Sequence, residues 1–279
     1  MEAGQLSNLG IIIQARMKSE RLPGKVLKTL PFGSAETILG RIINTAKLIT
    51  SNVIVATSND ESNIEIEIFC QKADVDCFRG EEEDVLSRFV EIQLRNGFDN
   101  IIRLTADNPF VDSIAIAEVL QFHVLNQFDY TSSVNLPLGM NLEIFKGEAL
   151  LKSLIFLENE QDREHVTSVL RRRSEFKRGI YSYPEKYSGI RVTVDTVQDF
   201  LVANILAQIE SKYKIKGFKL IEYVLEQHSW VFNGNKNVIQ KNSKIDRLDE
   251  LKESSRILSS LDYFRASDIL KKEIENDLS

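Results

Sequence analysis

Apolar positions along the chain recur at two periods, and the two alternate. Residues 10–15 form a short apolar block bounded by polar sequence, the pattern of a buried strand. Residues 35–49 place Ile38, Leu39, Ile42, Ile43, Ala46 and Ile49 on one helical face. Residues 52–57, rich in Val and Ile, predict a second strand, and Ile64, Ile68 and Phe69 predict a helix over 62–72. A short strand follows at 76–78. Val85, Leu86, Phe89 and Ile92 then line one face of a helix over 82–95. Residues 100–105 predict a third long strand and 113–125 the next helix. Strands alternating with helices of this length imply βαβ units and a mainly parallel sheet. Right-handed crossovers then put helices on both of its faces.

After Asp129 the rhythm changes. Residues 130–134, 142–146 and 179–183 predict strands with helices between them. Residues 191–194 predict a further strand, with a helix from Thr196 to about Ser211. The stretch of about 130–190 is expected to be an insertion or lid, in a main domain running to residue 235. The remainder, 236–279, is expected to be a helical appendage. From Lys241 onward, 17 of 39 residues are charged, 8 basic and 9 acidic. Ile245, Leu248 and Leu251, then Leu258 and Leu261, suggest two amphipathic helices with a break near Ser259 and Ser260.

Composition narrows the class. In 279 residues, 43% are hydrophobic and 27% charged, enough to bury a core without disulfides. A net charge of −6 argues against a broad nucleic-acid footprint, which needs an excess of Lys and Arg. Cys70 and Cys77 fit no zinc spacing and read as free thiols of a reducing compartment. The longest early apolar run is Ile11-Ile12-Ile13, too short for a signal peptide or a membrane span. A cytoplasmic protein is expected.

The chemistry concentrates where strands are predicted to end. Residues 11–27 read IIIQARMKSERLPGKVL: a buried strand, then a loop carrying Arg16, Lys18, Arg21 and Lys25 around a Pro23-Gly24 turn. Ligands of open α/β sheets bind outside the carboxyl ends of strands, and four cations there suit a polyphosphate. Two common phosphate loops are absent. Ser19 stands where a Walker loop needs its first glycine, Val26 follows the lysine, and no G-x-G-x-x-G occurs. Asp107, after the third long strand, and Asp195, after residues 191–194, are the carboxylates for a Mg²⁺ ion that shares its shell with phosphate. Each alone would pass for a helix cap. Two of them beside a polycationic loop are harder to explain as separate caps.

Seven segments in order carry a resemblance: IIIQARMKSERLPGKVL, then VIVATSND (53–60), FRGEEEDVLSRF (78–89), RLTADNPFVD (103–112), GMNLEIF (139–145), DREHVT (162–167) and RVTVDTVQD (191–199). Together they span roughly residues 10–209. The chain resembles the cytidylyltransferases that make CMP-activated sugars, in the branch of spore coat polysaccharide biosynthesis protein F. CMP-Kdo synthetases and acylneuraminate cytidylyltransferases are more distant relatives.

The resemblance implies an α/β, Rossmann-like nucleotide-diphospho-sugar transferase fold with an inserted sugar-side subdomain, and a homodimer. It implies that Ala15, Arg16, Ser19, Arg21 and Lys25 hold the CTP phosphates and that Ala56, Thr57 and Ser58 line the cytosine. Arg79 and Gly80 would approach the nucleoside. Asp107 and Asp195 would hold Mg²⁺, and Glu143, Arg163, Glu164 and His165 would lie on the sugar side. Arg16, Arg21, Lys25, Asp107 and Asp195 form the expected catalytic set, and a 2-keto sugar acid is the expected acceptor. Three departures stand out: Glu20 in the loop, Ala106 where glycine is common, and Gly33-Ser34-Ala35 in place of Gly-Lys-Pro. A different nucleobase, a glycosyltransferase of similar fold and a non-catalytic nucleotide-sugar-binding protein are the alternative readings.

Overall fold

The computed structural model describes residues 8–238 and 247–278. The chain divides into two compact units, Met1–Lys236 and Asn237–Ser279. The first is built on β1 (Leu9–Gln14), α1 (Ile38–Lys47), β2 (Val53–Ser58), α2 (Ile64–Lys72), β3 (Asp76–Gly80), α3 (Val85–Asn96), β4 (Asn100–Thr105) and α4 (Ser113–Leu125). It continues with β5 (Tyr130–Val134), β6 (Glu143–Lys146), α5 (Gly147–Ser153), α6 (Glu160–Glu164), α7 (Ser168–Arg172), β7 (Arg178–Ser182), α8 (Val197–Tyr213) and α9 (Phe218–Gln227).

One seven-stranded sheet runs in the order β3-β2-β1-β4-β6-β5-β7. β3, β2, β1 and β4 pair in parallel, β6 is antiparallel to both β4 and β5, and β7 is parallel to β5. The carboxyl ends of β1 to β4 therefore share one edge, with Gln14 opposite both Ala56 and Thr105.

Alternation along the strands divides the core in two. Ile11, Ile13, Val53 and Val55 pack against apolar residues of α1, α4, α8 and α9. Ile12, Ile54, Ala56 and Phe78 pack on the other face against Leu86, Phe89 and Ile92 of α3, with Phe145, Leu150 and Leu170. The period-2 pattern of a strand buried on both faces thus produces helices on both sides. Helix starts carry side-chain caps: Thr37 accepts from Gly40 N, Asp84 from Ser87 N and Asp112 from Ile114 N. Thr196 and Asp199 form a reciprocal capping box on α8.

Residues 130–190 supply β5, β6 and β7 and so extend the sheet, where the buried Tyr130, Thr131, Ile144 and Phe145 find backbone partners. One expectation is corrected: residues 191–194 are not a strand. Arg191, Val192, Thr193 and Val194 are all buried, yet this extended segment is tied to two separate loops. Arg191 bridges Leu138, and Val194 N donates to Asp107 O at 2.8 Å. The approach of the first loop requires glycine. A Cβ on Gly139, at φ 106°, would lie 2.4 Å from Thr193 N.

In the second unit, α10 (Arg247–Ser260) and α11 (Phe264–Leu278) form a helical pair. It is joined through Ser255 and Ser267, whose hydroxyls lie 2.8 Å apart. The break falls at residues 261–263, just after the expected serines, and Ile245 lies outside the described residues. Among the described residues, no helix is long and apolar enough to cross a membrane.

Phe89 is fully buried in the core beneath α3. Phe89→Ala should destabilise the first unit by about 3–5 kcal/mol, read as a fall in the urea midpoint without a change of slope.

Candidate active site

The loop after β1 leaves the sheet at Ala15, whose N donates to Ala56 O at 3.0 Å. It folds back on itself, with Gly24 N donating to Met17 O at 3.1 Å. Leu22 and Val26 are buried and pin it to the core. Asn63 fixes its outer side, accepting from Met17 N at 2.8 Å and donating to Ser58 Oγ at 2.7 Å. Ser19 is half-buried and Arg16 exposed. Lys18 turns to Asp60 at 2.6 Å and Glu82 at 3.3 Å, so the carboxylates beside Lys18 come from other loops; Glu20 is exposed.

Lys25, in the short 3-10 turn Lys25–Leu27 that ends the loop, is buried. Its Nζ lies 2.9 Å from Asp107 Oδ2 and 2.7 Å from Asp195 Oδ1. The two aspartates converge on a single cation position. Thr105 Oγ1 donates to the other oxygen of Asp107 at 2.7 Å, and Asn108 Nδ2 donates to Thr105 at 2.9 Å. Ala106 leaves the strand geometry intact. Its N donates to Gln14 O at 2.8 Å, and its methyl is buried in the core.

Asp195 is held by a second layer of charge. Arg191 spans Asp199 through Nε and Nη2, at 2.8 and 2.9 Å, and reaches Asp195 Oδ2 from Nη2 at 2.9 Å. Asp199 also accepts the backbone N–H groups of Asp195 and Thr196, each at 3.0 Å, and Asn235 Nδ2 at 2.8 Å. Arg21 approaches Asp195 at 3.5 Å. Burial works against a charged Asp195. The charges of Lys25, Arg191 and Arg21 and the bond from Lys25 outweigh it and hold the carboxyl below its ordinary range. Asp199 is likewise depressed: burial opposes its charge, and the bonds and charge of Arg191 prevail.

The carboxylate pair suits a small hard cation. Magnesium takes one or two protein carboxylates and completes its shell with phosphate oxygens and water. Asp107 and Asp195 already present oxygens to one shared point, and no third metal-binding side chain joins them among the described residues.

The other expected residues fall into separate groups. Ala56 and Ser58 end β2 and are buried, and Thr57 is buried with its Oγ1 unpartnered among the described residues. Arg79 braces the loop after β2. It donates to the carbonyls of Ser58, Asn59 and Asp60 at 3.1–3.3 Å and to Glu67 at 2.9 Å. Glu143 is half-buried and accepts from Arg103 at 2.5 Å, Tyr130 OH at 2.5 Å and Thr167 Oγ1 at 2.7 Å. Burial opposes its charge, but Arg103 and the two hydroxyls hold it ionised. Arg163 does not join Glu143; it pairs with Asp84 at 2.7 Å. Glu164 and His165 are exposed.

Several supporting residues had no assigned role in the sequence reading: Arg191, Asp199 and Asn235 behind Asp195, Thr105 behind Asp107, and Arg103, Tyr130 and Thr167 around Glu143. The i, i+4 and i, i+8 acidic spacing after Arg191 was the available signal for the first group. The partners of Glu143 come from three distant segments and left no local signal.

The model of the family described as cytidylyltransferase matches residues 10–245. The spore coat polysaccharide biosynthesis protein SpsF of Bacillus subtilis is 37% identical over 204 residues, 70% of this chain and 84% of that protein. An uncharacterized protein of Methanocaldococcus jannaschii is 33% identical over 233 residues, 82% of this chain and 95% of that protein. The structure of a cytidylyltransferase from Leptospira borgpetersenii serovar Hardjo-bovis superposes with a TM-score of 0.72 at 28% identity, over 85% of this chain and all of that one.

Asp199→Asn should lower stability at neutral pH by about 3–5 kcal/mol, because it removes the charge that pairs a buried guanidinium. The folded Asp199 has a depressed pKa, so its contribution is present above the ordinary carboxylate value and is lost as pH falls through the folded one. The stability gap between wild type and variant should therefore close below about pH 4. Urea titrations across pH 2.5–7 test this, and a gap that widens toward acid would refute it.

Proposed function

The chain belongs to the cytidylyltransferase family, and on that premise we propose that it transfers the cytidylyl group of CTP to a hydroxyl of a sugar, releasing pyrophosphate. The convergence of Asp107 and Asp195 on one cation position, beside a loop bearing Arg16 and Arg21, carries this reading. The polysaccharide role in the name of the Bacillus relative supports a sugar acceptor, and a 2-keto sugar acid is the acceptor we propose.

In the transfer, the sugar hydroxyl forms a bond to the α-phosphorus, and the bond from that phosphorus to the bridging oxygen of pyrophosphate breaks. The hydroxyl proton leaves to solvent. The protein's work is positioning and neutralising charge. Arg16 and Arg21 lie on the loop that would run along the phosphates, where guanidinium groups can take oxygen pairs. Lys25, which spans both aspartates at the loop's end, would yield that shared position to a bound cation and neutralise charge growing on the departing pyrophosphate. Asp107 and Asp195 would hold Mg²⁺, which when bound lowers the pKa of the attacking hydroxyl and shields phosphate charge. Arg191 helps keep Asp195 ionised, and Asp199 holds both Arg191 and the Asp195 backbone N–H in place.

Thermal unfolding with CTP, UTP, GTP and ATP, each with and without Mg²⁺, tests the nucleotide. At about 100 times its dissociation constant a ligand adds about 2.7 kcal/mol, or about 5–10 °C for a unit of this size. The shift is expected with CTP and Mg²⁺. A shift with another nucleotide would change the base, and no shift with any would defeat the reading. Asp107→Asn should stay folded, because Lys25 keeps Asp195 as a partner, and lower turnover, read as pyrophosphate release with a panel of keto sugar acids, by about two orders of magnitude or more. Unchanged turnover would remove Asp107 from the metal site.

A further inference from the structure

Arg88, in the first turns of α3, is a buried cation without an ion pair among the described residues. Its relative exposure is 4%. No carboxylate within ion-pair distance is found for it among the described residues. Its Nε has no hydrogen-bond partner, and Nη2 reaches only the carbonyl of Glu82, at 3.4 Å. The flanking carboxylates serve others. Asp84 caps α3 through Ser87 N at 2.8 Å and takes Arg163 at 2.7 Å, and Glu82 faces Lys18. A buried, unpaired guanidinium is costly, and folds keep such groups chiefly where function uses them.

The surroundings say what the group faces. Its stem lies across Gly80 at the carboxyl end of β3, where an added Cβ would come 2.7 Å from Arg88 Cγ. Glycine is needed at that position to let the arginine pass. Beside Gly80, β2 ends in Ala56 and Ser58, and the next strand is β1, which leads into Ala15 and Arg16. The contact of Lys18 with Glu82 brings the loop after β1 against the loop before α3. Burial, and then the positive charge of Arg16, push the pKa of Arg88 down. Arg16 follows the end of β1 and Arg88 crosses Gly80 at the end of β3, the two strands that border β2 and its small residues.

We infer that Arg88, together with Arg16, forms an oxyanion subsite that holds a phosphate of the nucleotide. A phosphate between the two groups would supply the missing counter-charge and accept from the orphaned Nε–H. The inference rests on the nucleotidyl-transfer reading and adds to it a binding residue outside the loop after β1. The carboxylate of a sugar acid has the same oxyanion chemistry, so the test separates the two.

Calorimetric titrations of wild type, Arg88→Met and Arg88→Lys with CTP, CMP, pyrophosphate and N-acetylneuraminate, joined to ligand-free melting curves, form the experiment. Arg88→Met keeps the buried stem and removes the charge. It should melt, ligand-free, at or above the wild-type temperature while weakening CTP by about ten- to a hundredfold. Weakening of CMP or of pyrophosphate in parallel would identify which phosphate is held, and Arg88→Lys should recover part of the loss. Unchanged affinity for CTP in Arg88→Met would overturn the inference. So would a ligand-free melting temperature several degrees lower, the mark of a structural brace. Loss confined to the sugar acid would also overturn it, moving the subsite to the other substrate. Wild-type protein that binds pyrophosphate but not CTP would defeat the nucleotide reading, and the pyrophosphate arm would still test Arg88.

Discussion

Asp107 and Asp195 repel one another, and Lys25 lets them share a site. Its ammonium lies within hydrogen-bond distance of both, in a place where little water can screen the charges. Three remote stretches of chain are thereby tied together: the loop after β1, the end of β4 and the segment before α8. Three carboxylates, Asp107, Asp195 and Asp199, are balanced by three cations, Lys25, Arg191 and Arg21, the last of them 3.5 Å from Asp195. Arg191 faces both Asp195 and Asp199, so each buried charge has an opposite neighbour. Removing one member leaves another unpaired, which makes the cluster a single unit rather than a set of separable bonds.

That unit sits where the sheet delivers it. β1, β2, β3 and β4 run in parallel, so their carboxyl ends open on one edge, and the polar side chains that follow them meet there. The helices bury the sheet on both faces and leave this edge free for chemistry. The antiparallel β6 extends the same surface: Glu143 pairs with Arg103 across the β4–β6 register, and Arg103 also donates to Gln14 at the end of β1 at 3.0 Å. A continuous polar row thus runs from the nucleotide-side strand to the strand that carries Glu143. This is the kind of path along which a sugar would meet a nucleotide.

Much of the fold was legible because the strands are buried on both faces and the helices are strongly periodic. α4 was read to its final residues, and β1 to β4 within a residue or two at each end. The error at 191–194 has a physical source. Four buried residues with alternating Val and Thr look like a strand, but burial does not say whether the backbone partner is one strand or two loops. The change of rhythm after Asp129 marks the point where an antiparallel strand, β6, is placed between parallel ones. In the site, the loop cations and Asp107 stand out because they follow strand ends in sequence, and Asp195 because it follows an extended buried segment that reads as one. Asn235 does not, since its contacts with Arg191 and Asp199 span 44 and 36 positions; Arg191 and Asp199 left only the acidic spacing between them.

Arg88 shows the limit of reading by type. In sequence it is one more arginine on an amphipathic helix, and its neighbours Glu82 and Asp84 suggest a surface salt bridge. The fold turns those carboxylates toward Lys18 and Arg163 and leaves the guanidinium buried and unpaired. Gly80, read from the sequence as room for a nucleoside, is in the fold room for the stem of Arg88. The same glycine satisfies both readings if Arg88 is what the nucleotide meets there. The structural requirement and the binding requirement then fall on one position, and a bound anion would add to the partial compensation that the charges of Asp84 and Glu82 give the buried arginine.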